Sequence, residues 1–328
     1  MSTLTPFEIR ETNEDALAQR IADILRRKME RDYPAGATKR DAHPKQVGVL
    51  RATFSVEPNL PQNLRVGVFA EARSYDAWVR LSNANGTPQS DAVKDVRGCA
   101  IKLLNVAGER IPESDEPTTQ DFLMVSMPTM PLGTVKLFHD AIYYSIERTA
   151  LLFVAKMLVT GQSKVLKGLE RSKFNPTSPL DIRYWSTTPY RFGTDRVVKY
   201  SLVPTSTLRS SLPATLGDSY LSEQMHEHLA QADATFDFKL QLRTPSMPIE
   251  DAAVEWREDE SPFIKVATLR IAKQDFRSAE RDELSETLAF SPAHALAAHR
   301  PLGAVNRARM HIYKTLSAFR HARDKRPA

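Results

Sequence analysis

NRARMHIYKTLSAFRH, residues 306–321, reads as a helix with one chemically loaded face. At 100° per residue, Arg309, Tyr313, Leu316 and Arg320 fall within about 60° of one another. Two guanidiniums and one phenol therefore line a single stripe about a helical turn apart. A guanidinium beside a phenol favours the phenolate, and a phenolate is a strong oxygen ligand for ferric iron. Arg320, further along the stripe, is placed to meet something anionic. The alternative is an amphipathic surface helix whose tyrosine and arginines are solvated.

A second cluster far upstream raises the chemical reading. In RDAHPKQVGVLRATFSV, residues 40–56, Val47, Val49, Phe54 and Val56 predict a strand. Gly48 inside it marks a bulge or a close approach by something flat. Arg40 and His43 lie just before the strand, and Pro44 cannot donate to a ladder, so His43 sits at a strand start or edge. Alternatively His43 is a surface histidine in a polar loop. AWVRLSN, residues 77–83, alternates and places Val79 and Leu81 on one face, Arg80 and Ser82 on the other. An arginine and a serine on one face of a core-type strand need partners if they are buried.

The rest of the chain supplies the frame. RGCAIKLL (97–104) and DFLMVSMP (121–128) predict further strands, and strands at this spacing argue for a barrel or curved sheet. Residues 134–175 carry apolar positions at helical spacing, and within them ALLFVAKMLVT (150–160) reads as a buried helix, with contact to a lipid interface as the alternative. Paired strands return at 197–204, 235–244 and 263–271. Residues 13–32 predict an N-terminal helix capped by Asn13 and ended by Tyr33-Pro34-Ala35-Gly36, a packing or oligomer arm without chemistry of its own. The divisions are an N-terminal helical arm over 1–37 and one domain over 38–328. The tail HARDKRPA is expected to fray.

Composition narrows the class. The 328 residues are 41% hydrophobic and 26% charged, as in ordinary soluble domains, with a net charge of +5. Lysine and arginine are not massed in one run, so no nucleic-acid partner is expected. A single cysteine, Cys99, excludes an intramolecular disulfide and fits a reducing, cytoplasmic setting. No apolar run reaches the length of a membrane span, and the first residues lack the pattern of a signal peptide.

Taken in order, RxxHxxxxG (Arg40–Gly48), VRLSN (79–83), DxxRGxAIK (95–102) and RxxxY (Arg309–Tyr313) resemble the haem catalases and their smaller relatives. QDFLMV (120–125), MPIEDAAVEW (247–256) and HALAAHRPLGAVNRAR (294–309) look like the short catalase-like haem proteins, which include small bacterial peroxidases and the allene oxide synthase type. The fold this implies is α+β: a catalase-like antiparallel eight-stranded β-barrel with surrounding α-helices, lacking the C-terminal helical domain of full catalases. The implied cofactor is haem b (iron protoporphyrin IX), with Tyr313 as its iron ligand and Arg309 sustaining the charge of Tyr313. Arg40, Arg80 and Arg320 would pair with the propionates. His43 would be the distal acid/base, with Ser82 fixing its tautomer.

Departures from the family pattern bear on activity. Catalases carry a distal asparagine where this chain offers Val125 and Ser126, and Ser126 is the candidate to replace one of its hydrogen bonds. Ala84 stands where catalases place a bulky valine, which implies a roomier distal side. Cys99 reads as a small buried hydrophobe. The expected substrate is a small-molecule peroxide or an organic hydroperoxide, with a lipid-like substrate compatible. The expected activity is peroxidase or hydroperoxide rearrangement, in an oxidative-stress role. A slow catalase and a non-catalytic haem binder are the alternatives. A homo-oligomer, a dimer, is the expected assembly. His139, His294, His299 and His311 lack a metal spacing and are expected to be structural or exposed.

Overall fold

In the computed structural model, which describes residues 5–325, a block of strands, a block of helices and a second block of strands are framed by two long terminal helices. The first helix, α1 (Glu14–Asp32), precedes β1 (Gln46–Val56), β2 (Ser74–Asn83), β3 (Arg97–Leu103) and β4 (Gln120–Val125). Then come α2 (Val135–Glu147), α3 (Ala150–Val159) and α4 (Ser163–Arg171). The second strand block is β5 (Tyr184–Trp185), β6 (Tyr190–Phe192), β7 (Arg196–Pro204), β8 (Ala234–Leu242) and β9 (Ile264–Ile271), with α5 (Tyr220–Gln231) between β7 and β8. Helices α6 (Ala279–Thr287) and α7 (Ala304–Asp324) complete the chain.

The strands run in the order β5-β4-β3-β2-β1-β9-β8-β7-β6, and β5 also pairs with β7 through Tyr184↔Leu202 and Trp185↔Ser201. That second pairing closes eight antiparallel strands into a barrel and leaves β6 as an appendage of β7. Closure removes the open edges that invite aggregation. Period-two alternation then sorts the side chains. Val79, Leu81, Ile101, Phe122, Tyr200 and Phe238 are buried in the main core. The rings of Phe122 and Phe238 lie 4.8 Å apart, Phe54 and Phe238 5.0 Å, and Phe122 and Tyr200 5.1 Å. Each such ring contributes roughly 1.5–3 kcal/mol by burial. The barrel interior is therefore packed with side chains, and any ligand must bind outside it.

Residues at the alternate positions face outward beneath α7. The register aligns Arg80 with Ala100 and Ala100 with Leu123, and Ser82 with Gly98 and Gly98 with Val125. Two rows of outward residues thus share a middle strand that bears only Gly98 and Ala100. Opposite, α1, α2 and α7 pack through Ile21, Leu25, Val135, Ala308, Ile312 and Leu316.

Three local expectations are corrected. Helix α3 is not buried: Leu151, Leu158 and Val159 are 79%, 58% and 89% exposed, and only Phe153 and Met157 point inward. Asn13 occupies the start of α1 in a left-handed conformation and makes no side-chain cap. The C-terminal segment continues as helix to Asp324, whose carboxylate accepts from the backbone of Gly36 and Thr38 at 2.9 Å each; residues 326–328 lie outside the described part. Gly48 is at the expected bulge. The close neighbours there are protein groups, since a Cβ on Gly48 would lie 2.5 Å from Met225 and 2.8 Å from the Phe276 ring.

Candidate active site between the barrel wall and the last helix

A cavity of about 360 Å³ separates the outer face of β2–β4 from α7. Arg309, Tyr313, Leu316 and Arg320 all line it, the same stripe that helical spacing predicts. From the barrel side come His43, Arg80, Ser82 and Gly98, and Arg40 enters from the segment before β1. Residues separated by some 270 positions in sequence therefore share one cavity. Its remaining walls are mostly apolar.

His43 is held on three sides. Its backbone is at φ 56°, a left-handed conformation disfavoured for a side chain with a Cβ. Strain of this kind persists where the surroundings impose it. Arg80 Nη2 donates to the His43 carbonyl at 2.9 Å, and the His43 Nδ1 and Ser82 Oγ are 3.0 Å apart. Gly98 lies beneath them, and a Cβ there would clash with both the imidazole and the Ser82 hydroxyl. The ring keeps some surface open to the cavity but is otherwise surrounded by protein. Burial, and then the charges of Arg80, Arg309 and Arg40, push its pKa down to about 3. At neutral pH His43 is an uncharged base.

The phenol of Tyr313 lies beside Arg309, whose guanidinium carbon is 5.4 Å from the ring centroid. Arg309 also reaches Asn306 Oδ1 at 3.2 Å. Burial opposes the Arg309 cation, but the flanking phenols of Tyr313 and Tyr190 outweigh it and raise its pKa. Arg40 donates to the carbonyls of Ser285 and Leu288, and Arg320 to that of Glu286. Arg80 Nε donates to Ser285 Oγ at 3.2 Å. These guanidiniums thus cap the C-terminal end of α6, where the helix dipole is negative. Burial lowers Arg80 to about 10, still a cation at neutral pH. Four arginines line a cavity whose acidic neighbours are Asp41 and Glu286, the latter's carboxylate 3.6 Å from Arg320.

The donor set fits a flat, dianionic ring with iron at its centre. The bare middle strand at Gly98 and Ala100 leaves room for a planar face. The phenol is an oxygen donor for a ferric ion, and the arginines suit paired carboxylates. Ser126 stands elsewhere. Its hydroxyl accepts from the Arg97 N–H at 2.9 Å, and Val125 and Met127, not Ser126, line the cavity. Ala84 and Cys99 do line it, and burial raises the Cys99 thiol far above its ordinary value.

Several lining residues carry no chemical signal in sequence. Met29 of α1, Phe138 of α2, and Ala289 and Phe290 after α6 reach the cavity only through tertiary packing. The four other histidines singled out in the sequence are accounted for otherwise. His299 accepts from Val68 N–H inside the core, and His311 is exposed against Gln19. His139 stacks on Tyr143. His294, Asp121 and Glu116 have potential ligand atoms within 4.8 Å of one another, but the Lys102 ammonium lies among them, 3.0 Å from Asp121. That grouping is a buried ion-pair network, and it ties the Phe290 loop to β4 through Ser291 N–H and Asp121 at 3.0 Å.

The fold is catalase-like, a closed eight-stranded barrel with surrounding helices, and here a helix-borne tyrosine and a serine-linked histidine line one cavity outside it. Among solved structures the chain is similar to a fungal catalase, with a TM-score of 0.70, 14% identity and coverage of 98% of this chain and 66% of that one. It is also similar to a bacterial catalase (TM-score 0.65, 15% identity, 98% and 63%) and to catalase A of Saccharomyces cerevisiae (0.68, 14%, 98% and 68%). The chain thus spans about two thirds of the length of these catalases. A catalase-related peroxidase of Mycolicibacterium paratuberculosis is 24% identical over 252 residues, 74% of this chain and 77% of that protein. No protein-family model matches.

Proposed function

We propose that this protein is a haem-dependent oxidoreductase that acts on hydroperoxides, with Tyr313 as the iron ligand. The observation that carries the reading is the meeting of His43–Ser82 and Tyr313–Arg309 in one arginine-lined cavity. The likeness to a catalase-related peroxidase supports the same class. Haem b, held by Tyr313 and by carboxylate pairing with Arg40, Arg80 and Arg320, supplies the redox chemistry of peroxide cleavage.

The chain's own part is proton handling and access. A His43 Nδ1–H donated to Ser82 Oγ leaves Nε2 with its lone pair. His43 then takes the proton from the peroxide O–H and returns it to the departing oxygen. Because the ring is uncharged well below neutral pH, it needs no prior deprotonation. Arg309 supplies positive charge beside Tyr313 and holds electron density on its oxygen.

Substrate choice follows from the cavity. Val125 and Ala84 replace an amide and a bulky side chain of the catalase pattern, and Met127, Met130 and Phe138 extend an apolar wall. Such a wall favours organic hydroperoxides, including lipid-like ones, over hydrogen peroxide. Peroxidase turnover or rearrangement of the organic hydroperoxide is the expected outcome.

The test is the absorption spectrum of the haem-loaded protein, followed by mixing with cumene hydroperoxide or hydrogen peroxide. The wild type is expected to bind haem and to react faster with the organic peroxide. Tyr313→Phe is expected to lose the phenolate signature, and His43→Ala to keep its haem but react roughly 10²–10⁴-fold more slowly. An unaltered Tyr313→Phe spectrum removes the ligand assignment. Vigorous oxygen release from hydrogen peroxide would make the protein a catalase in activity as well.

A further inference from the structure

Helix α3 turns its apolar side to solvent. Leu151, Leu152, Val154, Ala155, Leu158 and Val159 are all exposed and cover an arc of about 160° that contains no charged residue. Lys156 lies off that arc and pairs with Asp140 of α2 at 2.8 Å. Of the large hydrophobic side chains exposed among the described residues, half are on this one helix. A contiguous apolar surface of this kind marks an interaction site.

The next helix supplies charge. Lys164, Lys167 and Arg171 of α4 are exposed and fall within about 60° of one another on its surface. Lys173 follows, also exposed. None of the four is paired with a carboxylate among the described residues, and the exposed acid of α4, Glu170, lies off the basic stripe. An apolar helix face beside an unpaired basic stripe is the signature of attachment to an anionic lipid surface: side chains enter the acyl boundary and cations meet phosphate headgroups.

We propose that the α3–α4 hairpin is a peripheral docking surface for anionic phospholipid bilayers. A second copy of the chain fits the surface less well. In a two-fold contact the patch meets the same patch of a second copy, which brings a second stripe of Lys164, Lys167 and Arg171 and no acidic stripe to match it. The proposal stands apart from the chemistry of the cavity. The hairpin nevertheless abuts the cavity wall, since Gly168 packs on Pro131 next to Met130, and α2 carries Phe138 into the cavity.

The experiment is co-sedimentation of the full-length protein with vesicles of phosphatidylcholine alone or with one third phosphatidylglycerol, at low and high salt. Binding to the anionic vesicles is expected to be at least about tenfold stronger, and to weaken with salt. The triple variant Lys164→Glu, Lys167→Glu, Arg171→Glu is expected to lose it, and Leu158→Asp to weaken it, both with unchanged circular dichroism. A wild type that stays in the supernatant with anionic vesicles overturns the proposal, as does a triple variant that sediments equally. A dimer in solution that Leu158→Asp dissociates, without vesicle binding, overturns it in favour of a subunit interface.

Discussion

Two sides of α7 handle arginine in opposite ways. Arg307 faces the N-terminal segment and meets three carboxylates: Glu8, Glu14 at 2.6 Å and Glu250 at 3.0 Å. Two residues on, Arg309 faces the cavity and meets phenols, an amide and a hydroxyl, and its companions Arg40, Arg80 and Arg320 donate mainly to carbonyls. Paired with acids, a buried cation is a fastener. On the cavity side the hydrogen bonds go mainly to neutral oxygens, with the Glu286 carboxylate 3.6 Å from Arg320, and the same cations line a space that an anion can enter. The residue type is the same on both sides; the partners, and the cavity onto which Arg309 opens, separate the two roles.

The largest expected effect comes from breaking the fastener. Arg307→Ala leaves Glu8 and Glu14 buried without their cation, and should cost about 3–5 kcal/mol in urea unfolding. A change below about 1 kcal/mol would mean that the three acids are readily relieved by water. On the cavity side, Arg80→Met should weaken haem retention by roughly 10–100-fold, the worth of one charge-assisted hydrogen bond. Its cost to unfolding of the haem-free chain should be smaller, about 1–2 kcal/mol. Equal losses of stability in the two variants would erase the distinction drawn between the two sides.

A pH dependence sharpens the same comparison. His43 has a folded pKa of about 3, below its ordinary 6.5. The stability of the neutral ring is therefore fully present above pH 6.5 and is lost as pH falls from there toward 3. Acid unfolding of the wild type should be steeper across that window than that of His43→Gln. The peroxide reaction should likewise show no acid limb at 6.5, because burial, the first cause of the depression, would remain even with the carboxylates of the proposed haem beside the arginines. A limb at 6.5 would mean that His43 is solvated in the working enzyme.

Much of this contrast was legible in the residues. The stripe Arg309–Tyr313–Arg320 follows from helical period, and the pairing of Arg80 with Ser82 from strand period, because both depend on local geometry alone. The eight-stranded barrel came from resemblance, since no local pattern states that β5 pairs with β7 as well as β4. Ser126 shows the limit of alternation at a strand end: past Val125 the chain leaves the ladder, and the hydroxyl turns to the Arg97 backbone. The exposure of α3 was misread because an apolar run suits a core and a lipid contact equally. Gly98 has the plainest hidden role, since only the folded register brings His43 and Ser82 against it.

The packing of α1 against α7 also has a consequence for biosynthesis. Met29 of the first helix and Tyr313 of the last line the same cavity, and Asp324 binds the backbone at Gly36 and Thr38. A nascent chain that has finished its barrel still lacks one wall of the cavity, with Tyr313 and two of the four arginines on it. Whatever the cavity holds can therefore be enclosed only after translation has passed α7, and the haem proposed for it would be taken up by the finished chain and not on the ribosome.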